Sequence, residues 1–420
     1  MDKLIIDGGL PVNGTLDISG SKNAALPILT ASLLTDESVK LTNLPHLQDV
    51  TTMLSLLSII GCQVKMISNM GVILNADSIN QLSIPEKQVG EMRASILILG
   101  PLLSKYGRVR IAFPGGCAIG PRPINLHLKA LEKLGAKIKI SDEFIEATAP
   151  NGLQGNHIKF ESISVGATEN IIMAASLAQG VTTIDNAAEE PEIVDLANFI
   201  NAMGGKVENA GQSQIKITGV KQLFGCEYEI MPDRIETGTY LAATVATKGE
   251  IVVRNADPTT LTAVLEKFEE CGADIQYSKR EIHLKTHGKR PKPVNITTMP
   301  YPGFPTDMQA QFTAINAIAD GKATVTETIF ENRLSQVYEL IRMGADITVD
   351  GNRALVVGKE SLNPTSLLAS DLRASASLVI GALIAKGRSE IYRIYHIDRG
   401  YECIEEKFSR LGISIKRLPK

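Results

Sequence analysis

The sequence has no tryptophan, and aromatic residues make up only 5% of its 420 positions. A core built without large rings has to be assembled from Leu, Ile, Val and Ala. Cysteine is scarce and scattered. Cys62, Cys117, Cys226, Cys271 and Cys403 form no CxxC pair, which argues against a zinc site or a thioredoxin-like motif. An odd number of thiols suits a reducing compartment, so a cytoplasmic location is expected. Charge of neither sign dominates: the net value is -3, which gives the whole chain no electrostatic attraction to nucleic acid or to an anionic membrane. No window approaches the ~18 consecutive apolar residues of a spanning helix. The opening stretch, MDKLIIDGGLPVNG, has no charged segment followed by an apolar one, so no secretory signal is expected. The six histidines (His46, His127, His157, His283, His287 and His396) form no HExxH, and most of them read as solvated or satisfied. PGGCAIG is not GxGxxG, because residue 117 is Cys, and no GxxxxGK[ST] occurs, so neither a dinucleotide fold nor a P-loop is supported. No metal and no cofactor are expected.

What the sequence does contain is repetition. A helix-end phrase occurs six times, around Gly61, Gly135, Gly204, Gly272, Gly344 and Gly412, at intervals of 74, 69, 68, 72 and 68 residues. Each is an apolar-periodic helix that stops at Gly, which accepts the left-handed backbone just past a helix, and each runs on into a short strand. A second phrase keeps step with it: SKNAALPILTASLL, EMRASILILGPLL, GATENIIMAASLAQG, IETGTYLAATVATKG, TDMQAQFTAINAIADG and DLRASASLVIGALIAKG. Small residues dominate these stretches, with almost no charge after the first turn. A helix apolar on nearly every face is a buried one. Six units of this size exceed a solenoid repeat of ~20–50 residues and suggest two domains of three units each. The small-residue helices would lie inside each domain with sheets around them. Lys22, Arg93 and Arg373 stand where these buried helices open. Cations are disfavoured at a helix amino end, so their repeated placement there calls for an anionic partner.

The segment AFPGGCAIGPRPINLHL, Ala112 to Leu128, is the most unusual. Its glycines and prolines make it a loop, and it carries one thiol, Cys117, five residues before Arg122. A sulfur near positive charge ionises more readily, and a Gly-rich loop can close over a ligand. Cys62 and Cys271 adjoin helix-end glycines and Cys403 is placed in an amphipathic helix; all three read as structural, and structural is the favoured reading of Cys226.

Taken together, SKNAALPI, MRASI, PGGCAIGPRPI, SVGAT, EPEIVDLANF, PDRIETGT, PGFPTDMQAQF, ENR, DLRASASL and YHIDRGYE resemble the UDP-N-acetylglucosamine enolpyruvyl transferases (1-carboxyvinyltransferases) over essentially the whole chain. The resemblance implies an α/β fold of two inside-out, barrel-like domains, each of three β/α units. One would span 22–229 and the other 1–21 with 230–420, with the active site in the cleft between them. It implies transfer of the enolpyruvyl group of phosphoenolpyruvate (PEP) to the 3-hydroxyl of UDP-N-acetylglucosamine, by addition and elimination through a tetrahedral ketal, as the first committed step of peptidoglycan precursor synthesis. Both substrates are small molecules.

Residue by residue, Lys22 and Asn23 resemble PEP binders, with Arg122 and Arg399 joining Lys22 at the phosphate. Arg93, Arg122, Pro123, Ile124, Asn125, Leu126, Ser164, Val165, Gly166, Asp307 and Ile329 resemble UDP-sugar contacts. Cys117 resembles the catalytic cysteine and Asp307 the base at the sugar hydroxyl. Arg333, Asp371 and Arg373 match further active-site positions. Asn125 and Ser162 depart from the family, where many members carry Asp and some carry Lys; both departures bear on nucleotide-sugar affinity. Two rival readings are a transferase acting on shikimate 3-phosphate, disfavoured by the thiol loop and SVGAT, and a non-catalytic paralogue that binds the nucleotide sugar, disfavoured by the retention of Lys22, Cys117, Asp307 and Arg399.

One expectation follows for Cys117. Fosfomycin, an epoxide phosphonate able to occupy the place of PEP, should alkylate this thiol and not the other four, faster with UDP-N-acetylglucosamine present. Mass spectrometry of peptides from the treated protein locates the adduct; an adduct elsewhere with Cys117 unmodified contradicts the assignment.

Overall fold

The computed structural model describes residues 2–68, 70–90, 92–113 and 124–419. Within these bounds the chain forms two compact units, one of residues 20–113 and 124–231, the other of residues 2–19 and 232–419. Each unit holds three four-stranded sheets, and all six have one design. An edge strand runs parallel to its neighbour, and the two remaining pairs are antiparallel. In the second unit the strand Lys3–Gly8 lies between Gly387–Tyr392 and Ser414–Leu418, and Asn13–Asp17 pairs in parallel with Glu250–Arg254.

The main helices of the described residues alternate in kind along the chain. Six are the small-residue helices: α1 (Lys22–Ala31), α3 (Leu99–Tyr106), α5 (Val165–Ala175), α7 (Arg234–Thr247), α9 (Gln309–Asn316) and α11 (Leu372–Ile384). Between them come the amphipathic ones: α2 (Gln48–Ile59), α4 (Asn125–Lys133), α6 (Pro191–Ala202), α8 (Thr262–Glu270), α10 (Gln336–Arg342) and α12 (Ile404–Arg410). The expected burial is observed: every residue of α9 is buried, as is all of α7 but Thr247 and all of α11 but its two terminal residues. In the second unit α7, α9 and α11 pack against one another, and this is the interior of the domain.

Backbones this close leave no room for side chains at the crossings. A Cβ on Gly238 would sit 2.8 Å from the Met308 sulfur, and one on Gly100 would sit 2.3 Å from Asn170 Oδ1. The six helix-end glycines behave as their sequence context predicts. Their φ values are 108°, 93°, 92°, 93°, 91° and 85° in chain order. At each, the glycine N–H and the next N–H turn back to carbonyls of the last helical turn, as in Gly344 to Ile341 at 2.8 Å and Ala345 to Leu340 at 3.0 Å. This satisfies carbonyls that the helix leaves open.

The four described cysteines divide as expected with one exception. Cys62 and Cys271 are buried, and burial pushes their thiols up to about 11 and about 12. Cys226 is half-buried. Cys403 does not lie inside an amphipathic helix: it precedes α12 as its N-cap, exposed, with φ of 40°. The apolar periodicity that suggested a helix there belongs to Ile404 and Phe408 alone. Among the described residues no helix is long and apolar enough to cross a membrane.

Replacing Gly100 by Ala forces a methyl group against Asn170, whose Oδ1 accepts the Gly100 N–H at 2.7 Å. A loss of about 1–3 kcal/mol of stability is expected, the usual cost of overpacking a tight interior. The shift of the urea unfolding midpoint measures it.

Candidate functional site

The residues singled out by sequence fall in both units. In the second unit they gather around Asp307, which lies on a turn of 3-10 helix, Thr306–Met308, leading into α9. Its Oδ1 accepts from Arg333 Nη2 at 2.6 Å, and its Oδ2 accepts from Arg373 Nη2 at 2.9 Å and Nε at 3.1 Å. Both arginines are buried, while 23% of the Asp307 side chain remains accessible. Burial by itself would raise this carboxyl, but the Arg373 and Arg333 guanidiniums outweigh it and hold the group far below the usual carboxylate range. Asp307 is therefore a fixed, fully ionised acceptor.

The partners of this clamp are themselves held. Asp371 caps α11, accepting from the backbone of Arg373 and Ala374 at 3.0 Å each, so it sets the helix that carries Arg373. Arg373 also donates to Tyr401 Oη at 3.2 Å, and Tyr401 meets Thr239 of α7 at 2.9 Å. Arg333 donates to Thr306 Oγ1 at 3.0 Å, and Thr306 donates to Glu327 at 2.8 Å. The other oxygen of Glu327 accepts from the backbone N–H of Ile329 at 2.8 Å. Ile329 and Asp307 are thus parts of one hydrogen-bonded assembly. Arg399, half-buried, closes the short helix Tyr395–Asp398.

In the first unit Lys22 opens α1, and Ser21 caps the helix by accepting from Ala24 N at 3.3 Å. Lys22 Nζ lies 2.6 Å from Asp49 Oδ2, with both side chains buried. Asn23 follows it, half-buried. Ser164 caps α5 by accepting from Ala167 N at 3.3 Å, and Val165 and Gly166 form the first turn. Gly166 faces His127 of α4; a Cβ there would come 3.4 Å from the imidazole Cε1. His127 is buried, and burial, followed by the charge of Arg93, pushes it down to about 4. Ile124 and Leu126 are half-buried and Asn125 is exposed, where α4 begins. Cys117, Arg122 and Pro123 lie outside the described residues.

The anionic partners that Lys22 and Arg373 call for at their helix ends are protein carboxylates, Asp49 and Asp307. Sequence reading missed Asp49, Glu327, Tyr401, Asn170 and the burial of His127. Only Asp49 had a local signal, an acid in the first turn of a helix, and that signal marks a favourable dipole and not a function.

Comparison with known proteins agrees with this architecture. The family model described as EPSP synthase (3-phosphoshikimate 1-carboxyvinyltransferase) matches residues 6–408. Among solved structures, the enolpyruvyl transferase NikO from Streptomyces tendae superposes with a TM-score of 0.90 at 22% identity, covering 99% of both chains. EPSP synthase from Acinetobacter baumannii superposes at 0.78 with 17% identity and 100% coverage of both. The fold is that of an enolpyruvyl transferase. A UDP-N-acetylglucosamine 1-carboxyvinyltransferase from Saccharophagus degradans is 55% identical over 419 residues, 100% of each chain. The chain belongs to the family of the UDP-N-acetylglucosamine 1-carboxyvinyltransferases and is a transferase.

Removing the Asp307 charge leaves two buried guanidiniums facing one another. Asp307→Asn is expected to cost about 3–5 kcal/mol at neutral pH, as for other broken buried pairs. The sign of its pH dependence follows from the depressed folded-state value: the stabilisation is complete above the unfolded value of about 4 and is lost as the pH falls below it. The stability gap between wild type and variant, measured by denaturant unfolding, should therefore be full at pH 7 and narrower at pH 3.

Proposed function

We propose that this enzyme transfers the enolpyruvyl group of PEP to the 3-hydroxyl of UDP-N-acetylglucosamine and releases inorganic phosphate. The observation that carries the reading is the 55% identity, without a gap in coverage, to a protein that bears this name. The reaction makes and breaks few bonds. A proton is added to the methylene carbon of PEP as the sugar oxygen, giving up its own proton, bonds to the neighbouring carbon. The ketal then loses a methyl proton and phosphate, which restores the double bond. An acid above the methylene, a carboxylate at the hydroxyl and cations at the leaving group are required. Cys117, Asp307 and the set Lys22, Arg122 and Arg399 fill these roles in the reading.

The geometry refines the part of Asp307. A carboxylate held between two guanidiniums is a weak base at rest. It orients the hydroxyl by accepting its hydrogen bond, and it takes the proton late, as the new carbon–oxygen bond makes that hydroxyl strongly acidic. In this reading Lys22, held at the start of α1 beside Asp49, supplies a point charge to an oxygen of PEP. The reading also places the enzyme in the cytoplasm at the entry to peptidoglycan precursor synthesis, where PEP and the nucleotide sugar are both supplied.

The test is direct. Purified enzyme with PEP and UDP-N-acetylglucosamine should release phosphate and form a product whose mass equals the nucleotide sugar plus an enolpyruvyl group. Lys22→Ala should abolish most turnover while leaving UDP-sugar binding intact. Phosphate release with shikimate 3-phosphate, and none with the nucleotide sugar, would overturn the assignment.

A further inference from the structure

Asn170 of α5 has a side-chain arrangement that permits only one orientation. Its Oδ1 accepts the Gly100 N–H at 2.7 Å, so the amide nitrogen must occupy the other branch. That nitrogen has two hydrogens and two contacts: the Ile96 carbonyl at 3.0 Å and His127 Nδ1 at 3.0 Å. An NH2 group cannot accept, so His127 Nδ1 is the acceptor and carries no proton. The imidazole is neutral, held so by burial and by the nearby Arg93 charge, and its one proton therefore resides on Nε2.

This second ring nitrogen has no hydrogen-bond partner among the described residues, although His127 is only 6% exposed. It lies against the first turn of α5, with the ideal Cβ position of Gly166 3.6 Å from Nε2. An N–H donor on a nearly buried ring thus lies beside the amino end of an eleven-residue helix, where backbone N–H groups and the dipole already favour negative charge.

We propose that Asn170 locks His127 in the Nε2–H tautomer, and that this N–H donates to an anionic oxygen of the diphosphate of the bound nucleotide sugar at the amino end of α5. The inference rests on the reading of this enzyme as acting on UDP-N-acetylglucosamine. His127 would be a binding residue and Asn170 a positioning residue. A neutral donor suits the place. It adds a directed hydrogen bond without a further charge to be desolvated beside Arg93, and a locked tautomer presents it without reorganisation on binding.

The lock can be read in the unmodified enzyme. Nitrogen-15 spectra of the histidine rings at neutral pH should show His127 protonated at Nε2 and unprotonated at Nδ1; the reverse tautomer, or an imidazolium, overturns the proposal. Binding of UDP and of uridine, followed by calorimetry, supplies the second arm. His127→Asn keeps a polar group facing Asn170 but does not reach the α5 amino end, and it should weaken UDP by about tenfold or more while leaving uridine unchanged, the loss expected of a hydrogen bond to a charged group. His127→Gln returns an N–H near the Nε2 position and should restore UDP affinity to within about threefold, on the same conversion. An Asn variant that binds UDP like the wild type, or that loses UDP and uridine by equal factors, overturns the proposal. A wild-type enzyme that binds neither UDP nor UDP-N-acetylglucosamine overturns the underlying substrate reading, and with it the ligand assigned here, even where the tautomer is as stated.

Discussion

Burying a helix on every side removes the water that would otherwise satisfy its first amide groups and any charge placed near them. Each unit of this protein is built on helices so buried, and much of its polar chemistry follows from that constraint. Ser21, Ser164, Asp233 and Asp371 cap α1, α5, α7 and α11 from within. Charges that enter the interior are paired or extinguished. Lys22 meets Asp49, Arg373 meets Asp307, and Glu236 meets Lys407 at 2.6 Å. Glu169, deep in α5, is pushed well above the usual carboxylate range by burial and then by Glu192 and Glu190. Polar groups in such a setting have few alternatives, which is why they are well placed for work that demands fixed geometry.

The same constraint explains how much could be read from the chain. The six-fold repeat, the buried character of the small-residue helices and the glycine at each amphipathic helix end are local in sequence, and spacing and composition displayed them. The clamp on Asp307 is not local. Its carboxylate is 26 residues from Arg333 and 66 from Arg373, and Asn170 is 43 from His127. Arg333 lies in the same repeat as Asp307, but Arg373 and Asn170 reach their partners by packing one repeat on the next, which no periodicity within a repeat reveals. Family resemblance singled out Asp307, Arg333 and Arg373 one at a time, and only the fold shows them as a single ion cluster. Resemblance gave no reason to select Asn170, because its part is to orient another side chain.

Cys403 shows the opposite failure. Ile404 and Phe408, one helical turn apart and both buried, imitate a longer amphipathic helix. The chain instead turns through a left-handed residue before the helix begins, and the thiol is left at the surface. Periodicity identified the helix and misplaced its start, the usual weakness of pattern when no strong capping residue marks the boundary.

The strand Lys3–Gly8 has a further consequence. It is made well before both of its neighbours in the sheet, Gly387–Tyr392 and Ser414–Leu418. During synthesis its backbone donors and acceptors stay without sheet partners while residues 20–231 emerge and can assemble all three of their own sheets. The nascent chain thus carries an unpaired apolar strand, with Leu4 and Ile6 destined for full burial, until those partners are made. That sheet cannot close before Ser414–Leu418 is made, and the exposed interval before it is when this chain is open to chaperone capture or to pairing with another copy of itself.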